Sequence, residues 1–110
     1  MRTMLITFVA GVLMAAPLFA QDSKIAKGEE VYVAQKCGLC HSIGDKGNKK
    51  GPLDGVGSKL SAEDIRLWMT DAKTMTAKTN SARKPEMKSY NLPKDDLDAL
   101  VAYMVSLKKK

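Results

Sequence analysis

The stretch that decides the reading is Lys36-Cys37-Gly38-Leu39-Cys40-His41-Ser42, which holds the only two cysteines and the only histidine of the chain. Two thiols three positions apart on a helical turn can add to the two vinyl groups of one haem. The next residue then projects its imidazole at the iron from the same side. Three other uses of the pattern compete. A thioredoxin-like redox pair wants a βαβ setting that the sequence lacks. Structural zinc generally takes four protein ligands, against two Cys and one His here. A plain structural disulfide ranks last. The placement of the lone histidine directly after the second cysteine decides for haem attachment, with Cys37 and Cys40 as the covalent anchors and His41 on the iron. One covalent haem c per chain is the expected cofactor.

The N-terminus agrees with that chemistry, because haem is attached to thiols outside the cytoplasm. Arg2 gives a positive start, Met4 to Leu13 form an apolar run, and Ala15-Ala16-Pro17-Leu18-Phe19-Ala20 ends on a small residue before polar Gln21-Asp22-Ser23. Residues 1–20 therefore read as an export leader cleaved after Ala20, and the product as periplasmic. The competing reading is an uncleaved anchor, for which Met4 to Ala20 with Pro17 inside it is barely long enough. Residues 21–110 form one domain with a thin core. No disulfide framework can staple it, since both cysteines lie in one short motif. A large apolar cofactor supplies the missing core, and the haem-free chain is expected to be mostly unfolded.

Removing Arg2 from the 18 basic residues leaves 17 against 12 acidic ones, a net of +5. That balance favours an acidic partner surface. Nucleic acid is a poor alternative, because the lysines are scattered and Tyr32, Trp68, Tyr90 and Tyr103 show no basic-aromatic interleaving. Lys36, Lys46, Lys49, Lys50, Lys84 and Lys88 flank the haem motif or Met87 and form a candidate positive rim; the plainer reading is solubility. The Lys108-Lys109-Lys110 tail reads as a frayed, solvated end.

Strand signals are nearly absent, so the expected class is all-α, with three to five helices around the haem. A first helix is predicted from about Lys27 to Lys36, with Val31, Ala34 and Gln35 inward. Ser42 to Lys59 contains five glycines and one proline and reads as a long irregular loop. A second helix follows Ser61 as N-cap, with Asp64 at the third position, Leu60 and Ile65 as a hydrophobic staple, and Ile65, Trp68 and Met69 on one face. Asp71 to Ser89 is polar and reads as a loop with a helical turn. The last helix is predicted over Lys94 to Leu107 behind Pro93. Leu97, Leu100, Val101, Met104 and Leu107 form its apolar stripe, and its charges suit the macrodipole.

From Lys27 to Leu107 the chain resembles a class I c-type cytochrome of the small bacterial monohaem kind. Gly28 and Tyr32 on the first helix, then the haem motif, Gly51-Pro52, a late methionine in Met87, and Tyr103 on the last helix follow the family's order. The resemblance implies that the first and last helices cross through Gly28, Tyr32, Leu100 and Tyr103. One departure stands out: many relatives carry the aromatic four residues before the first cysteine, whereas Tyr32 lies five before Cys37 and Val33 takes the shorter spacing. Either a helix irregularity or a shifted contact follows. The resemblance also implies that Pro52 offers its carbonyl to the outer nitrogen of His41, a fixing of the kind ligating imidazoles need.

For the sixth iron ligand the candidates after the leader are Met69, Met75, Met87 and Met104. Met69 and Met104 lie on apolar helix faces where methionine serves as packing, and Met75 follows closely on the second helix. Met87 lies on a loop shortly before the final helix, where class I cytochromes keep their ligand, and is the expected metal ligand with His41. Trp68 is read either as a haem-edge contact or as a core aromatic. Methionine with histidine fills both axial sites, which implies electron transfer rather than catalysis. The expectation is a periplasmic monomer that carries single electrons between larger redox proteins with acidic docking surfaces, with no stable membrane insertion. A haem enzyme or ligand sensor with an open sixth site, and a cytochrome subunit of a larger redox complex, are the alternatives.

Overall fold

In the computed structural model the described residues are 11 and 17–109, and their architecture is set by two helices from opposite ends of the chain that meet at a glycine. α1 spans Pro17–Ala34 and α5 spans Lys94–Ser106. Among the described residues α2 (Val56–Lys59), α3 (Ala62–Thr70) and α4 (Ala72–Lys78) lie between them, with one two-stranded ribbon, so the domain is all-α as expected. The leader expected over residues 1–20 lies outside the described residues except for Gly11 and 17–20, the latter opening α1.

α1 starts ten residues earlier than its apolar pattern indicates. Pro17 suits a first helical position, and Ala20, Gln21, Lys24 and Ala26 are strong helix formers. Residues 20–24 are exposed, so this turn carries no inward periodicity for a sequence reading to find. Farther along, Gly28 and Val31 are buried and Tyr32 and Gln35 half-buried, while Ala34, expected inward, is exposed. A Cβ on Gly28 would lie 2.6 Å from Tyr103 Cβ and closer still to the Ala99 carbonyl oxygen, so only glycine lets the two helix backbones approach. Tyr32 and Tyr103 then meet edge to face, with ring centroids 5.9 Å apart and an interplanar angle of 72°. The spacing anomaly before Cys37 is absorbed by a turn after Ala34 in which Lys36 takes φ 57. Tyr32 keeps its place against α5, and Val33 points outward at 70% exposure.

The glycine-rich stretch is more ordered than its composition suggests. β1 (Ser42–Ile43) pairs antiparallel with β2 (Lys46–Gly47) in the register Ser42 to Gly47 and Ile43 to Lys46. Gly44 turns the ribbon at φ 59, and its N–H donates to Asp54 Oδ1 at 2.9 Å. Ser42, 2% exposed, also receives the returning chain, with Leu53 N donating to Ser42 O at 2.8 Å. The segment then closes into α2 before Leu60.

Ser61 caps α3 as expected, its Oγ accepting from Asp64 N at 3.1 Å. Ile65 and Met69 are buried, and Leu60 packs on the same cluster. α4 corrects the loop expected over Asp71 to Ser89. Ala72, Met75 and Thr76 share one buried face at helical spacing, and the surrounding Lys and Thr residues hid that short stripe. α5 matches its expected stripe, with Leu100, Val101 and Met104 buried and Leu97 and Leu107 packed at the edge. Near its start, hydrogen bonds from Lys94 and Arg66 hold the Asp98 carboxyl down at about 2. The tail is pinned rather than frayed: Lys108 Nζ donates to Gly57 O at 2.7 Å and Lys109 N to Ser58 Oγ at 2.8 Å. Lys110 lies outside the described residues.

Gly28→Val is expected to lower stability by about 2–3 kcal/mol, because the clash falls on backbone that cannot rotate away. Denaturant unfolding of the haem-loaded protein measures it. A loss under about 0.5 kcal/mol, the size of an ordinary surface change, would show that α1 and α5 do not depend on this approach.

Candidate cofactor site

Beside the contact between α1 and α5, the apolar faces of α3 and α5 and the segment 53–60 are left facing each other across a central space. The result is a cavity of about 660 Å³, within the size range of cofactor pockets. Ile65, Met69, Leu100 and Met104 line it from the helices and Leu53, Val56 and Leu60 from the loop side. Cys37, Cys40, His41 and Met87 line the same cavity. Sequence reasoning thus named one short motif, Cys37, Cys40 and His41, and a distant methionine, Met87, that the fold gathers at one space.

The haem motif is displayed by a sharp turn. After Lys36, residues Cys37–Leu39 form a single 3₁₀ turn, and both Cys40 N and His41 N donate to Cys37 O, at 3.1 and 3.0 Å. This helical turn presents both side chains to the cavity while Leu39 between them is 72% exposed. The thiols are not joined to each other. Burial pushes the Cys37 thiol up, opposed by backbone hydrogen bonding and reinforced by Cys40, so it is held protonated, unlike an activated nucleophile. Among the described residues no group of three His, Cys, Asp or Glu side chains could hold a metal, which leaves the zinc reading without its ligands.

His41 has one ring nitrogen committed. Its Nδ1 pairs with the Gly51 carbonyl oxygen at 3.0 Å, leaving Nε2 for the cavity. The expected acceptor was Pro52; the correction is one residue, because Leu53 N bonds back to Ser42 O and this pairing turns the Gly51 carbonyl toward both Ser42 N and the imidazole. Burial pushes the His41 imidazole below its usual range, the Gly51 bond opposes that shift, and the Arg83 charge adds to it. A neutral ring with an oriented free nitrogen is the form that ligates a metal.

Of the methionines, Met69 and Met104 line the cavity from α3 and α5 as members of the buried core, and Met75 faces away from it, buried on α4. Met87 is half-buried on the irregular segment before α5. Trp68 also lines the cavity. Of the six lysines read as a rim, Lys36 and Lys88 line the cavity and all six are exposed; Lys84 is paired with Glu86 at 2.8 Å.

Three site features were not found in the sequence. Arg83 reaches Cys40 O across 43 positions, and nothing local signals it. Tyr90 lines the cavity under Lys88, whose Nζ lies 5.1 Å from the ring centroid; its spacing of three from Met87 was the available hint. Tyr32 holds its hydroxyl buried without a hydrogen-bond partner among the described residues, and burial, with Cys37, Tyr103 and Asp54 adding, pushes it up to about 12. The apolar lining, the unjoined thiols and the half-committed imidazole all fit a covalently held haem.

A family model described as cytochrome c matches residues 25–108. Comparison with curated proteins and with solved structures gives no significant match. The matched region begins just before Gly28, contains the whole cavity wall and ends beside the pinned tail, and it covers most of the chain: the protein belongs to the cytochrome c family.

Proposed function

We propose that this protein is a periplasmic one-electron carrier whose haem c is bonded to Cys37 and Cys40 and ligated by His41 and Met87. Membership of the cytochrome c family carries the coarser part, haem-based electron transfer. The single observation behind the finer part is that the two thiols, the imidazole and the thioether of Met87 all face one apolar cavity. When bound, haem supplies an iron that cycles between two oxidation states one electron apart.

The chain's own residues do the rest. Gly51 O fixes the imidazole plane and favours the neutral tautomer with Nε2 unprotonated. Ile65, Leu100 and Met104 exclude water, and a dry setting with a methionine ligand favours the less charged, reduced state. Met87 belongs to an irregular segment rather than a packed helix, which suits it better than Met69 or Met104 to meet an iron, and Met75 does not line the cavity. With His41 and Met87 both holding the iron, no position would be left for a substrate, and the role would be transfer rather than catalysis. The leader read over residues 1–20 supports export, where haem attachment takes place. The lysine rim around Lys36 and Lys88 supports acidic redox partners, met through small and transient contacts.

Met87→Ala is expected to abolish the weak far-red charge-transfer band of sulfur-ligated ferric haem, while Met75→Ala retains it. The reverse pattern would move the ligand, and a parent protein without the band would favour the open-site sensor or enzyme. Electron exchange with an acidic redox protein is expected to slow as salt rises, since exposed charges are screened beyond about 10 Å at 0.1 M. A flat salt dependence would assign the lysines to solubility alone.

A further inference from the structure

Residues 82–88 carry Met87 between two anchored ends. Before them Ser81 N bonds to Thr76 O at 3.1 Å; after them Ala72 N donates to Ser89 Oγ at 2.9 Å and Tyr90 N to Met69 O at 2.7 Å. Within the segment itself, among the described residues, a single hydrogen bond reaches the rest of the chain: Arg83 Nη2 donates to the Cys40 carbonyl oxygen. The other bond there, Lys84 to Glu86, is internal. Arg83 Nη1 lies where a Cβ on residue 51 would be, so the guanidinium rests across the bare face of Gly51. Among the described residues no carboxylate pairs with Arg83, so its charge is spent on backbone oxygen.

We propose that Arg83 is a positioning residue: its guanidinium ties the Met87 segment to the backbone on either side of His41 and so holds the methionine at the cavity. This rests on the reading of Met87 as an iron ligand. Cys40 immediately precedes His41, and Gly51 supplies the carbonyl that orients its ring. One planar fork therefore couples the segment bearing the second ligand to the two pieces of backbone that place the first. Lysine has the charge but not the rigid planar group that bonds the Cys40 carbonyl while lying flat on the bare face of Gly51. Residue 51 is held to glycine by the backbone itself, since a Cβ there would strike the Cys40 carbonyl oxygen, and the bare face this leaves is where the guanidinium rests.

The test is imidazole binding to the ferric, haem-loaded protein, which requires Met87 to leave the iron. Arg83→Met is expected to bind imidazole about tenfold more tightly than the parent, the scale of one charge-assisted hydrogen bond. Arg83→Lys recovers part of that difference, and Lys78→Met, which removes the same charge from α4, matches the parent. Met87→Ala sets the upper limit of affinity. If Met87→Ala binds no more tightly than the parent, the ligand assignment fails and the tether with it. If Met87→Ala binds tightly while Arg83→Met stays at parental affinity, the tether alone is overturned. A loss of fold in Arg83→Met that Arg83→Lys shares also overturns it, since that would make Arg83 a general structural support.

Discussion

Backbone touching backbone at Gly28 and Ala99 is the contact from which the rest of the domain is suspended. It brings the first and last helices together and lets Tyr32 and Tyr103 stack edge to face beside the crossing. The apolar stripe of α5 is not buried against α1 alone, since α2 and α3 also pack on that helix. Leu100 and Met104 turn partly toward α3 and partly toward open space, and that space is the cavity on which Cys37, Cys40 and His41 converge.

A domain of this size has little interior to spare for a cavity of about 660 Å³. Among the described residues its buried cluster comes to one residue from α1, two from α3 and three from α5, with partly covered neighbours around them. Such a shell is sensible only if something apolar completes it, since an unfilled apolar space forfeits the dispersion contacts of its lining. A flat porphyrin joined by two thioethers would complete the shell and cross-link the start of the chain to its own core. The loops then have a structural role beyond connection. Ser42 receives Leu53, Gly51 receives His41, and the tail closes over α2, so each irregular segment becomes a wall.

Much of this was legible in the residues, for particular physical reasons. The haem motif is a covalent pattern and needs no tertiary context to be recognised. The Ser61 cap and the stripe of α5 are local patterns with strong periodicity, and both were found at nearly their true bounds. α4 was read only as a helical turn within a loop because its buried face is Ala72, Met75 and Thr76, too short and too polar a stripe to stand out. The early start of α1 was missed because residues 20–24 are exposed and rest on propensity, with no apolar pattern to mark them. The acceptor for His41 fell on Gly51 rather than Pro52 because ribbon register, set by Ser42 and Leu53, aims that carbonyl. Arg83 was invisible because its partner lies 43 positions away. Errors thus gathered where long-range backbone pairing, and not local chemistry, decides geometry.

Fold and site both turn on bonds that consume the thiols of Cys37 and Cys40 in holding one haem. Intact-mass measurement of the protein purified from cells able to attach haem tests for those bonds most directly. A coloured product heavier than its polypeptide by one haem, reverting to the bare mass in a double Cys37→Ala, Cys40→Ala variant, is the predicted result. A colourless product of unmodified mass from the same cells would contradict it.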